Sequence, residues 1–224
     1  MITQTKQIQD KLTPSDAYRI LKEGNRRFEQ NLKAQRNLKS QVIETSMGQY
    51  PFAAVLSCID SRVPVELVFD LGIGDVFSVR VAGNIVNKDV LGSVEYACKV
   101  AGSKIVVVLG HTKCGAVKAA CNKVELGNIT SLLSKIKPAV KEVEESQKEM
   151  DEKAMEEVAV KNVRLSIDRI REESEILFQM EKLGEIQIVG AIYSVSTGKV
   201  DFFESNSDAF TIPFNEVVTK GVVI

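Results

Sequence analysis

KIVVVLGH, residues 104–111, is apolar without a break from Ile105 to Leu109 and ends in a glycine and a histidine. The run is too short for a typical helix, and its valines favour pleated backbone. No polar residue alternates with the apolar ones, so neither face is left for water. That is the pattern of a strand buried on both sides, as in a parallel sheet. PFAAVLSC (51–58) repeats it, EIQIVGAIYSV (185–195) is a further strand, and DVFSVRVAG (75–83) another.

Helical spacing fills the intervals. Val90, Val94, Ala97 and Ala101 share one face, residues 113–122 predict a short helix, and residues 130–183 are charged and helical in pattern with a break near Met150-Asp151. Mixed acids and bases there read as a solvated helical face. Strands alternating with helices predict an α/β fold with a mostly parallel central sheet and flanking helices. Ser196-Thr197-Gly198 predicts a turn, after which KVDFF (199–203) alternates as an antiparallel C-terminal edge strand.

At the other end, residues 1–12 are polar and expected to be loose. Thr13-Pro14-Ser15-Asp16 is a helix start, with Thr13 as N-cap and proline in the first turn. Ala17, Ile20, Leu21, Gly24 and Phe28 follow at helical spacing, giving an amphipathic N-terminal helical arm with two seats open to it, its own domain or a partner. The polar stretch 33–48 is assigned no element. The whole chain, 1–224, is read as a single domain: arm 1–35, α/β core 50–125, helical segment 130–183, and C-terminal strands and tail 185–224.

Composition narrows the function. Apolar residues make up 44% of the 224, enough for a sizeable core. Lys plus Arg number 29 against 30 Asp plus Glu, which argues against nucleic acid or an anionic membrane as partner. No apolar run approaches the roughly 20 residues that span a bilayer, and MITQTKQIQD lacks the apolar core of a signal peptide. A cytoplasmic protein is expected. Its four cysteines (Cys58, Cys98, Cys114 and Cys121) are then free thiols, acting as apolar residues, ligands or nucleophiles.

Chemistry collects at the carboxyl ends of such strands. Cys-x-Asp-x-Arg (58–62) ends one, and His-x-x-Cys (111–114) ends another; His111 is the only histidine in the chain. Two thiols and an imidazole suit Zn²⁺, and three protein ligands leave one position open, the pattern of a catalytic site. Asp60 is placed to serve that position as a hydrogen-bond acceptor or as a ligand, and Arg62 can hold its carboxylate with two hydrogen bonds. A competing reading pairs His111 with one cysteine as nucleophile and base, but it leaves the other thiol idle. A thiol–disulfide switch lacks a Cys-x-x-Cys motif. Cys98 and Cys121 read as core.

CIDSR (58–62) and GHTKCG (110–115), with RVAGN (80–84) and VEYA (94–97) between them, resemble the β-class carbonic anhydrases. The resemblance spans most of residues 13–205. It implies zinc held by Cys58, His111 and Cys114, a catalytic dyad of Asp60 and Arg62, and zinc-bound hydroxide hydrating carbon dioxide reversibly to bicarbonate and a proton. It further implies a substrate pocket with Gln49, Phe77 and Tyr96, and a homodimer or a tetramer, the arm wrapping the partner. Members with a second bicarbonate site build it from tryptophan, arginine and tyrosine. Arg80 and Tyr193 match two of these, but Val55 stands in place of the tryptophan, which counts against bicarbonate allostery of that type. The alternatives on the same scaffold are a carbon disulfide or carbonyl sulfide hydrolase and a non-enzymatic zinc-binding protein, the latter expected to lack the dyad.

Overall fold

The apolar runs form the central strands of a computed structural model that describes residues 3–146 and 149–203. The expected C-terminal tail therefore lies outside the described residues from 204 onward. β1 (Ala53–Ser57) and β3 (Ile105–His111) are buried at every residue. With β2 (Val76–Arg80), β4 (Gln187–Tyr193) and β5 (Val200–Phe202) they make one sheet in the order β2-β1-β3-β4-β5. All pairings are parallel except β4 with β5, the antiparallel edge that the sequence predicts.

Helices cover both faces. On one side α2 (Pro14–Glu29) and α4 (Val65–Val68) lay Ala17, Leu21, Val65 and Val68 over Val55, Val107 and Leu109. On the other, α5 (Lys88–Glu95), α9 (Glu152–Glu173) and α10 (Glu175–Lys182) meet Leu56, Val106 and Val108. α6 (Gly115–Cys121), α7 (Gly127–Leu133) and α8 (Lys137–Ser146) build a third apolar cluster beyond the strand ends. No helix among the described residues is long and apolar enough to cross a membrane.

The chain leaves β1 for β2 on one side and returns with β3 on the other. The loops after β1 and β3 thus diverge, opening the crevice where open α/β sheets collect ligands. Ser57 lies level with Leu109. The same register carried one residue on brings Cys58 alongside Gly110, next to His111.

Three expectations need correction. Residues 1–12 are not loose: α1 (Lys6–Lys11) starts at a Thr5 cap, and buried Gln9 donates to the carbonyls of Pro51 (2.8 Å) and Ala101 (2.7 Å). These anchors lie far along the chain, where local polarity carries no sign of them. The stretch 33–48 contains α3 (Leu38–Glu44), capped by Asn37, with Gln41 buried and accepting from the Ile73 amide. The charged segment is no mere solvated face: α9 buries Ala154, Val158, Val163, Ile167 and Ile170. The arm, of the two seats open to it, packs on its own domain. Ala17 and Leu21 are fully buried in their own chain's core. Gly24 lies so close to α4 that a Cβ there would stand 2.0 Å from the Phe69 carbonyl oxygen.

An ion cluster locks this layer. Buried Asp70, in left-handed backbone (φ 46°), accepts from Arg27 Nε (2.5 Å), an Arg36 guanidinium nitrogen (2.6 Å) and the Ala34 amide. Burial pushes the Asp70 carboxyl up, but the hydrogen bonds from Arg27, Arg36 and Ala34 outweigh it and hold the group below the usual carboxylate range.

Candidate metal centre

Three donors converge in the crevice. Cys58 follows β1 directly, His111 ends β3, and Cys114 is the N-cap residue of α6. All three are buried, and their ligand atoms lie within 4.8 Å of one another. His111 Nδ1 is 2.9 Å from the Thr112 carbonyl oxygen. A carbonyl only accepts, so Nδ1 carries the proton and Nε2 keeps its lone pair. That Nε2 is buried without a hydrogen-bond partner. A bare imidazole nitrogen beside two thiols fits a soft or borderline cation.

The thiols are tuned as a pair. Contact with the Cys114 thiol, the His111 ring and the Gly83 amide (3.3 Å) holds Cys58 well below the ordinary thiol range, against burial. The contact between the two thiols pushes Cys114 up, against the opposing pull of the Ala116 and Val117 amides at the start of α6. Left to itself, the pair ionises once; a divalent cation stabilises both thiolates. Gly83 is required here. Its φ is 69°, and an added Cβ would stand 2.6 Å from Ile136 Cδ1.

Asp60 and Arg62 form a closed ion pair beside the donors. Arg62 Nε and a terminal guanidinium nitrogen reach the two carboxylate oxygens at 2.9 and 2.7 Å, and the Arg62 amide adds a third bond at 2.9 Å. These bonds hold the Asp60 carboxyl far below its usual range, against burial. One Asp60 oxygen lies 3.9 Å from His111 Nε2. Arg62 also donates to the Lys113 carbonyl at 3.2 Å, tying the dyad to the turn between His111 and Cys114.

Arg80 supports the same loop from β2. It donates to the carbonyls of Cys58 (3.1 Å) and Asp60 (2.7 Å). Its guanidinium is thus engaged with backbone, and Val55 is fully buried in apolar surroundings. Cys98 and Cys121 are buried thiols in separate apolar clusters, as expected for core residues. Burial pushes Cys98 up to about 12.

Gln49, Phe77 and Tyr96 are together, but elsewhere. With Lys6, Tyr50 and Val100 they line a recess of about 320 Å³, to which no metal-centre residue contributes. Phe77 stands level with Ala54, near the start of β1, whereas Cys58 follows its end. The recess therefore lies toward the amino ends of the strands and the donors at the carboxyl ends. One neighbour of the donors escaped the sequence reading. Glu156 on α9 accepts the Lys113 amide at 2.7 Å. A side chain that serves a backbone N–H 43 residues away leaves no local pattern, and no signal in the sequence points to it.

Comparison with known proteins agrees with this geometry. Residues 53–200, more than half of the chain, match the family model described as carbonic anhydrase. A carbonic anhydrase of Mycolicibacterium smegmatis is 34% identical over 201 residues, covering 84% of this chain and 92% of that protein. Carbonic anhydrase 2 of Mycobacterium tuberculosis is 42% identical over 120 residues, 52% of this chain and 56% of that protein. The crystal structure of a β-carbonic anhydrase from Aspergillus fumigatus superposes with a TM-score of 0.70 at 25% identity, covering 86% of this chain and 91% of that one. With its five-stranded α/β sheet and its thiol–imidazole–thiol cluster, the chain belongs to the β-carbonic anhydrase family of zinc-dependent enzymes.

Proposed function

We propose that this chain hydrates carbon dioxide reversibly to bicarbonate and a proton, with zinc held by Cys58, His111 and Cys114 and with Asp60 and Arg62 as the catalytic dyad. The observation that carries the reading is the orphaned His111 Nε2 facing two thiols beside a carboxylate already locked to arginine. When bound, zinc supplies Lewis acidity that makes a water molecule a nucleophile near neutral pH.

The residues do the rest. Arg62 keeps Asp60 ionised and holds both of its carboxylate oxygens, so that the group remains an acceptor. As an acceptor it takes a hydrogen of the attacking water and leaves a lone pair free for the carbon of carbon dioxide. Two thiolates cancel the formal charge of the cation, so this donor set makes a weaker Lewis acid than three neutral imidazoles would, and orientation by Asp60 matters correspondingly more. The only histidine is a ligand, so the proton leaves through water and external buffer.

We propose a homodimer as well. The arm gives no support for it, being covered by its own chain. Support comes from the exposed apolar face of Leu38, Val42, Ile43 and Met47 on and just after α3, and from the separation of the recess from the donors. If Gln49, Phe77 and Tyr96 line a substrate pocket, they serve the metal centre of a second copy. The four free thiols suit the reducing conditions of the cytoplasm.

The test is stopped-flow hydration of carbon dioxide by protein of measured zinc content, before and after chelation, alongside carbon disulfide and carbonyl sulfide. Fast hydration that tracks zinc content supports the reading. Turnover confined to the sulfur gases would reassign the substrate, and full activity without metal would overturn the mechanism.

A further inference from the structure

Only Thr112 and Lys113 separate His111 from Cys114, and every peptide group of the two is tied. The Thr112 amide donates to the Tyr193 carbonyl (2.9 Å), and the Thr112 carbonyl faces His111 Nδ1. The Lys113 carbonyl accepts from Arg62, and the Lys113 amide donates to Glu156. Glu156 alone among these partners comes from α9. It stands on a helix that is firmly seated, with Ala154, Val158 and Ala159 buried around it.

Lys113 needs such a partner. Its φ is 54°, in the left-handed region that favours glycine. Water could satisfy the amide of this exposed residue, but water would not hold its backbone angle. Relaxation of Lys113 would move the Cys114 thiol relative to His111 and turn the Lys113 carbonyl away from Arg62.

We propose that Glu156 is a positioning residue of the metal centre. By accepting the Lys113 N–H it fixes the turn between two ligands and keeps the Lys113 carbonyl facing the Asp60–Arg62 dyad. Glu156 thus acts on the metal through Cys114 and on the dyad through Arg62, touching neither. The inference rests on the metal reading above.

The test compares wild type, Glu156→Gln and Glu156→Met, each loaded with cobalt(II) or zinc. Gln keeps a carbonyl acceptor, whereas Met keeps the bulk without one. The readouts are the visible cobalt spectrum, the rate of zinc loss to a chelator, and kcat and KM. Glu156→Met is expected to shift the cobalt bands, to lose zinc about tenfold faster or more, and to lower kcat with KM little changed. Glu156→Gln is expected to stay close to wild type. Adding Lys113→Gly to Glu156→Met should recover part of the loss, because glycine adopts the turn unaided.

A Glu156→Met protein with the wild-type spectrum and zinc release overturns the inference, as does Gln being as impaired as Met. A Met variant that fails to fold while Gln folds overturns it too, since the role would then lie in the fold. Wild type that takes up no cobalt overturns the metal reading, and this inference with it. Wild type that binds cobalt while Met matches it overturns this inference alone.

Discussion

At the scale of single residues, the dyad makes the sharpest prediction. Asp60→Asn keeps the shape but removes the charge that Arg62 holds, and its amide can donate where only acceptance is wanted. Zinc content is expected to stay at the wild-type level while kcat falls by about 10- to 100-fold. Metal analysis beside stopped-flow kinetics checks both halves, and undiminished turnover would remove Asp60 from the mechanism. A second expectation follows from the single histidine. With His111 engaged as the proposal has it, no imidazole is free to carry protons, so kcat should rise steeply with buffer concentration, and a rate indifferent to buffer would contradict this. The gathering of Cys58, His111 and Cys114 beside the Asp60–Arg62 pair was legible because each group follows an apolar strand within a few residues, and strand ends meet in this fold. Gln49, Phe77 and Tyr96 were legible only through family resemblance, which did not reveal that they gather toward the amino ends of the strands. Glu156 was invisible because its partner is a backbone amide, the same in every residue but proline.

At the scale of elements, the arm was legible from its cap and spacing, but its seat was not. What fixes α2 is Gly24 against the Phe69 carbonyl and Asn25, which donates to the Val68 and Gly198 carbonyls and accepts from the Val200 amide. Gly24→Ala forces helix and backbone apart. The expected cost is about 1–3 kcal/mol, read as a fall in Tm of roughly 2–12 °C. Asp70 gives a pH-dependent counterpart. Its folded pKa is depressed, so the stability it contributes is full above the ordinary carboxylate value of about 4 and is lost as pH falls through the folded value. Asp70→Asn, which still tolerates left-handed backbone, should lower stability by about 3 kcal/mol at neutral pH. The gap to wild type should close on acidification below pH ~4. A constant gap in denaturant titrations down to that range would show that the charge is not what matters. The π-helical turn Tyr96–Val100 that continues α5 was not foreseen, and nothing in the apolar spacing distinguishes it from ordinary helix.

At the scale of the whole molecule, the parallel sheet and its layers were legible because buried strands write continuous apolar runs. The assembly was not, since an exposed apolar helix face becomes an interface only in the presence of its partner. Ile43→Asp should yield monomers in sedimentation and a large loss of hydration activity. Mixing slowed Asp60→Asn subunits with impaired Tyr96→Ala subunits should restore part of the rate, because each mixed dimer carries one intact centre. No recovery on mixing would place each centre within a single chain. The divergence of the loops after β1 and β3 has one more effect. Cys58 and the His111–Cys114 pair are remote in sequence and meet only once the two middle strands are zipped, so a captured ion rivets the seam shut. Chelation should therefore behave as a mild denaturant, and each tenfold rise in free zinc beyond saturation should add about 1.4 kcal/mol of resistance to unfolding.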